Sequence, residues 1–201
     1  MILASGWHLQ AAMPELDLTG RLGQIEWFYS EIMAPPAAQA SGHYALAFEK
    51  TRLWGATFAD QIGAKPEVSE QATRDNMMAL EALNPYWLQN SRSADLHARA
   101  GVRATTADRL PLIGALPNQV QMEVDRQRLE RQGWQVSPND YARENVYIAG
   151  GYGSRGFTWG PWAAEILTAT IFGDPLPARR EALRMIVPNR QILRKLKRSK
   201  A

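Results

Sequence analysis

Residues 146–172 constrain this chain more than any other stretch. They read Val146-Tyr147-Ile148-Ala149, then Gly150-Gly151-Tyr152-Gly153-Ser154-Arg155-Gly156, then a long, mainly apolar run to Phe172. The first four residues predict a short buried strand. Trp162, Ala163, Ile166, Leu167 and Thr170-Ile171 recur at helical spacing, and Gly173 with Asp174-Pro175 ends the run. Pro161 is expected in the first helical turn, where its missing N–H is harmless. A strand that turns on glycines into a helix start gathers free backbone N–H groups and the positive helix end, so it favours an anionic group.

Gly151, Gly153 and Gly156 also satisfy G-x-G-x-x-G. A full dinucleotide unit needs a second strand after the helix, ending in an acidic residue. Here Asp174 runs into Pro175-Leu176-Pro177, and the remaining residues are basic and poor in β-branched types. No complete nucleotide-binding βαβ unit is therefore expected from Gly151 onward. The turn by itself fits anion binding or a purely structural strand-to-helix connection.

Composition narrows the chemistry. The chain has 201 residues, 45% of them hydrophobic and 21% charged, which suits a soluble globular protein. It has no apolar run of the roughly 20 residues that span a bilayer and no signal-peptide pattern at its start, so a cytoplasmic location is expected. Without cysteine there is no disulfide, thiolate-bound zinc or thiol nucleophile. His8, His43 and His97 are scattered, so no metal site is expected. Residues 179–201 hold nine Lys or Arg and one acid, a net +8, against −5 for the remainder. That end reads as a solvated basic tail or as a contact for an anionic partner, nucleic acid first.

In chain order, Ile2-Leu3-Ala4-Ser5-Gly6 is a strand with no lead-in, as if its sheet partners lay elsewhere in the sequence. Residues 22–29 alternate Ile25, Trp27 and Tyr29 against Gln24, Glu26 and Phe28. Residues 42–48 and 52–58 predict a hairpin turning at Glu49-Lys50-Thr51, with Gly55 marking a bulge or close approach. Ser69 is expected to cap a helix over 70–83 that presents Thr73, Met77, Leu80 and Leu83 and stops at Asn84-Pro85. Residues 96–102 predict a strand that leads into Arg103. The segment 118–133 is charged nearly all round and is expected to be a solvated excursion, helical at best. The fold class is thus α/β plus α+β: pieces of one sheet at either end of the chain, and an antiparallel layer inserted between them.

Three stretches in this order resemble the D-amino-acid-oxidase-like FAD enzymes. Residues 2–6 look like the strand that closes their nucleotide-binding half. Gly101-Val102-Arg103 through Asp108, Pro111, Ile113 and Gly114 is similar to their return segment. Residues 151–158 resemble their C-terminal flavin loop, followed by a helix. Within the family, residues 153–156, Pro188-Asn189-Arg190 and 193–196 resemble the oxidoreductase part of bifunctional enzymes that modify the tRNA wobble uridine, and Gly23-Gln24 looks like the end of an Arg-Gly-Gln segment with Leu22 interposed.

The resemblance implies part of an FAD/NAD(P)-binding Rossmann-like domain with an antiparallel-sheet substrate domain. The implied division is 1–19 and 104–175 for the FAD-binding part, 20–103 for the substrate part and 176–201 for a basic tail. FAD is the implied cofactor and tRNA the implied substrate. The family's own N-terminal G-x-G-x-x-G half, in cis or trans, is the implied missing partner. The implied reaction oxidises carboxymethylaminomethyl-(thio)uridine to the aminomethyl form. A glycine-oxidase-type enzyme of free amino acids or amines, and a flavin-free module that binds RNA or a partner, are the alternatives.

By the same resemblance, Arg103 pairs with a substrate carboxylate, for which a planar guanidinium is suited; the other reading is a structural arginine. Arg155 meets flavin, substrate or phosphate, or is a surface turn residue. Ser5, Gly6, Gly150, Gly151, Gly153, Ser154, Gly156, Phe157 and Thr158 are the implied flavin contacts, with Ser154 and Thr158 also candidate helix caps. Arg190, Arg194, Lys195, Lys197 and Arg198 are the implied tRNA contacts. Of the seven tryptophans, Trp54, beside Gly55, is the candidate stacking residue; most are expected in cores or interfaces.

Overall fold

A computed structural model describes residues 1–61, 66–89, 96–132, 134–137 and 140–199, the side chains of 56–61 excepted. Gly133 and Lys200 lie outside the described residues. The chain divides into two compact units, one made of Met1–Thr19 with Arg103–Ala201 and the other of Gly20–Val102.

In the first unit, β1 (Ile2–Leu3) runs parallel to β8 (Ala142–Gly150), with Ile2 opposite Tyr147 and Leu3 opposite Ile148, and β7 (Leu112–Pro117) lies antiparallel on the far side of β8. Side chains on a strand alternate between faces, and both faces of this sheet are used. Ile148, Leu112 and Leu116 pack with Leu9 of α1 (His8–Ala12), Leu16, Leu18 and Ala104. On the other face Ile113 packs with Ala163, Ile166 and Leu167 of α5 (Gly156–Phe172) and with Leu183 and Ile186 of α6 (Arg180–Ile186).

Two expectations fail here. The segment 118–133 is not solvated all round: it forms α3 (Gln119–Val124) and α4 (Arg126–Arg131), whose fully buried Met122 and Leu129 meet Ile192 and Leu196 of α7 (Asn189–Arg198). Nor is 176–201 a tail. Its apolar residues sit at helical spacing, and fully burying each such side chain contributes about 1.5–3 kcal/mol, enough to dock helices that carry many charges.

In the second unit, β3 (Gln39–Ser41), β4 (His43–Phe48), β5 (Thr51–Gln61), β2 (Thr19–Tyr29) and β6 (His97–Thr105) form one sheet in that order. The β4–β5 turn comprises only Glu49-Lys50, since Phe48 pairs with Thr51, and Glu49 takes a positive φ of 51°. Gly55 meets both expectations. The β2–β5 register shifts beside it, and a Cβ there would stand 2.6 Å from the Gln24 carbonyl oxygen. Ser69 caps α2 (Glu70–Leu83) by accepting a bond from the Ala72 N–H.

The alternation in β2 holds, but the buried side is the polar one. Gln24, Glu26 and Phe28 are buried, while Tyr29 is exposed. Gln24 donates to Glu26 (2.7 Å) and Thr73 (2.9 Å) and accepts from the Ser69 N–H (2.8 Å); Asn76 donates to Glu26 at 2.6 Å. This network fastens α2 to the sheet, which a ladder of apolar side chains alone would not orient so specifically. It also gives Gln24, the residue matched to an Arg-Gly-Gln segment, an internal role.

Candidate functional site

Because β1 and β8 are parallel and in register, Ser5-Gly6 and residues 151–156 leave the same end of the sheet. In open α/β sheets the carboxyl ends of parallel strands are where ligands bind. Gly151 and Gly153 both adopt left-handed conformations, with φ 68° and 57°. A Cβ on Gly151 would approach Thr106 Cγ2 to 3.2 Å and Leu18 Cδ2 to 3.4 Å. One on Gly153 would approach Thr105 Cγ2 to 3.3 Å, and one on Gly150 Leu9 Cδ2 to 3.1 Å. These three glycines thus serve the protein's own packing and turn geometry. Gly6 and Gly156 differ, since nothing lies within 4 Å of a Cβ on either.

The return segment fixes this loop. Gly153 N–H donates to Ala104 O at 2.9 Å, and Thr105 bridges Tyr152. Arg103, immediately before Ala104, is thereby held beside the glycine loop and is half-buried. Arg155 is the N-cap residue of α5, with an exposed side chain. Its N–H donates to Tyr152 O (3.1 Å), and its carbonyl accepts from Thr158 (3.1 Å) and Trp159 (2.9 Å).

The capping roles considered for Ser154 and Thr158 are not filled. The helix has no side-chain cap and no acid in its first turn. Ser5, Ser154, Phe157 and Thr158 are exposed, Phe157 completely. Pro161 lies beyond the first turn, inside a helix that begins at Gly156. The glycine turn delivers the chain to helical geometry earlier than the proline suggested, and the proline leaves the bond to the Phe157 carbonyl unmade.

An uncapped helix start, open space at Gly156 and Gly6, two arginines and no acid in the first turn suit a flat, electron-accepting ring that gains negative charge at one edge when reduced. The flavin of FAD is such a group, so the residues present fit its ring end. No strand follows α5 among the described residues, since α6 and α7 come next. The βαβ unit that would grip a pyrophosphate is therefore not completed from Gly151, as the sequence implied.

The basic residues separate into two kinds. Arg190 is buried, and all five of its N–H donors are engaged. Nε and Nη2 bond the Asp108 carboxylate (2.9 and 3.2 Å), Nη2 bonds Leu110 O (2.8 Å), and Nη1 bonds Ile186 O and Val187 O (2.8 and 3.1 Å). It has no donor left for a phosphate, so its reading as a tRNA contact is corrected: it pins α7 to the return segment. Burial by itself would raise the Asp108 carboxyl; hydrogen bonds from Arg190 and Thr106, the Arg190 charge and the Leu110 N–H outweigh it and hold the group well below the usual carboxylate range. Arg194 also reaches Asp108, and Lys195 donates to Glu15 O at 2.9 Å. Lys197 and Arg198 are exposed, Lys197 5.8 Å from the Trp134 ring centroid.

Trp54 is likewise corrected. It is 2% exposed and meets Phe28 edge-on at 5.6 Å, so no ligand ring stacks on it as placed. The Asp108–Arg190 pair escaped the sequence reading because its partners are 82 residues apart. Each lay in a quoted motif, and nothing local joined them.

This fold, and a glycine loop entering a helix start beside a return-segment arginine, define a flavoprotein class: residues 1–170 match the FAD dependent oxidoreductase family (DAO), and the chain belongs to it. More particularly, it is 30% identical to the tRNA 5-methylaminomethyl-2-thiouridine biosynthesis bifunctional protein MnmC of Shewanella baltica (strain OS195) and 31% identical to that of Shewanella putrefaciens (strain CN-32 / ATCC BAA-453). Each match covers 100% of this chain but only 30% and 31% of the relative. Among solved structures, iminodiacetate oxidase from Chelativorans sp. BNC1 matches with a TM-score of 0.64 and 18% identity over 93% of this chain and 45% of that one. L-proline dehydrogenase from P. horikoshii matches with 0.65 and 17% over 94% and 46%. Glycine oxidase from Geobacillus kaustophilus gives 0.61 and 16% over 89% and 42%. At such identities these share the fold. No helix among the described residues is long and apolar enough to cross a membrane.

Proposed function

We propose that this chain is the C-terminal oxidoreductase part of an FAD-dependent enzyme that oxidises a CH–NH bond, its substrate the carboxymethylaminomethyl group of a tRNA wobble uridine. The observation that carries the reading is the common end of β1 and β8. An uncapped, acid-free helix start and two positions open at Cβ lie there, next to a glycine loop fastened to the residue after Arg103, in a chain aligned along its whole length with MnmC relatives. When bound, FAD would supply the hydride-accepting chemistry for a carbon beside an amine. The uncapped α5 N-terminus, beside Gly6 and the glycine loop, is where this chain would hold the flavin end and favour negative charge on it. Arg103 orients the substrate carboxylate, and Arg155 supports either anion. Lys197 and Arg198 add sequence-tolerant attraction for RNA phosphates. A G-x-G-x-x-G half supplied in cis or trans completes the grip on FAD, and the work is cytoplasmic, where tRNA is.

The test is to mix the chain with FAD, with and without the N-terminal half of the same family, desalt, and record visible absorbance; holoprotein is then assayed on tRNA and on glycine. Retained flavin and oxidation of tRNA but not glycine is the expected result. Arg103→Lys should weaken substrate use and leave flavin content unchanged; loss of flavin instead assigns Arg103 to the scaffold. Turnover of glycine that does not change in a Lys197→Ala, Arg198→Ala chain, which removes exposed cations and leaves the buried side of α7 intact, would establish the glycine-oxidase-type alternative, which the shared fold with glycine oxidase favours.

A further inference from the structure

Thr105 and Thr106, consecutive in the return segment, each meet one of the two left-handed glycines of the loop. The Thr106 methyl fills the space beside Gly151, 3.2 Å from where a Cβ would stand, and the Thr105 methyl does the same at Gly153, at 3.3 Å. Their hydroxyls are anchored separately. Thr106 Oγ1 donates to Leu110 O at 2.7 Å, and Thr105 Oγ1 donates to Thr19 O at 2.9 Å. Leu110 O also accepts from Arg190, and the Arg109 N–H donates to Thr106 O at 3.0 Å. Thr106, 3% exposed, therefore belongs to the turn that α7 holds.

A threonine carries its hydroxyl and methyl on one Cβ with a restricted χ1, so a bond that fixes the hydroxyl also aims the methyl. Two anchored hydroxyls thus press two methyls against the loop from a fixed base, and contacts this close leave the glycines no room to slip. Ala104 O accepts the Gly153 N–H, and Arg103 is the next residue back along the chain. The same few residues consequently set how the loop lies relative to that arginine. The geometry points to Thr105 and Thr106 as positioning residues, which seat Gly151 and Gly153 on the return segment and keep the flavin end in register with the substrate-orienting Arg103. This rests on the flavin reading of the proposed function and names the residues that align its two parts. Each threonine acts through a glycine.

The test uses the full chain, alone and with the N-terminal half of the same family and FAD. Thr105→Ser and Thr106→Ser keep the hydroxyls and remove the methyls; Thr106→Val keeps both branches of the side chain and removes the hydroxyl. Without flavin, the protection of the Gly153 amide against hydrogen exchange should fall roughly fourfold in each serine variant, the scale of one buried methyl. With flavin, the visible band of the serine variants should move toward that of free FAD and the midpoint potential should fall. Thr106→Val should return both to the parent values. Serine variants whose flavin spectrum and potential match the parent's would overturn the positioning role and leave the flavin reading standing. So would a Thr106→Val chain that behaves as Thr106→Ser, since the effect would then belong to the hydroxyl and not to the seated methyl. Gly151→Ala should destabilise the Thr106→Ser chain less than the parent, because the methyl it meets is gone; equal costs would overturn the seating contact. A parent chain that retains no flavin with the N-terminal half supplied would overturn the flavin reading and the positioning role together.

Discussion

The α6–α7 region and the outer face of the second unit's sheet invert the usual relation between polarity and exposure. The first is the most basic part of the chain, yet Asn189, Arg190, Gln191, Ile192 and Leu196 are buried there. The second is aromatic and aliphatic, yet open. The difference teaches that charge density alone does not separate scaffold from surface: it marked buried Arg190 together with exposed Lys197 and Arg198. A charge that finds a buried partner becomes scaffold, however basic its neighbours are.

The largest expected effect strikes the scaffold side of this contrast. Asp108→Ala leaves Arg190 buried without its counter-charge, and breaking such a pair typically costs about 3–5 kcal/mol. Chemical denaturation should show that loss. The pH dependence carries the same information: because the folded state depresses the Asp108 pKa, its contribution is complete above the unfolded carboxylate value of about 4 and is lost as pH falls below it. The parent chain should therefore lose stability below about pH 4 more steeply than Asp108→Asn. Equal slopes would show that the pair does not hold α7.

A smaller effect separates the glycines. Gly151→Ala combines a positive φ with a 3.2 Å contact to Thr106 and should destabilise by about 1–3 kcal/mol. Gly156→Ala meets open space in a helical residue and should leave stability within about 0.5 kcal/mol or raise it, while reducing flavin retention if the ring edge approaches there. Unchanged flavin in a stable Gly156→Ala chain would move the cofactor contact elsewhere.

The smallest effect on stability belongs to the exposed cations. Lys197→Ala with Arg198→Ala should change the melting midpoint hardly at all, as exposed substitutions typically stay within about 0.5 kcal/mol. It should also flatten the salt dependence of RNA binding by about one contact per residue removed. An unaltered salt slope would show that α7 carries no phosphate contacts.

By itself, the sequence determined the local devices. Strand, glycine turn and helix from 146 to 172, the Ser69-capped helix, the β4–β5 hairpin, the bulge at Gly55 and, among the described residues, the absence of a strand after α5 all follow from nearest-neighbour geometry, turn chemistry and side-chain period, which act within a few residues. The ordered glycine and return-segment motifs also disclosed the family. Tertiary structure alone decided which side of each pattern is inside. The period of β2 is legible, but only α2 lying across it, with Thr73 and Asn76 to satisfy Gln24 and Glu26, makes the polar face the buried one. The same holds for Arg190, whose role was set by Asp108 arriving from 82 residues away. A buried polar group is tolerable only where its hydrogen bonds are met, and the partners that meet them are brought together by the fold, not by the neighbouring sequence.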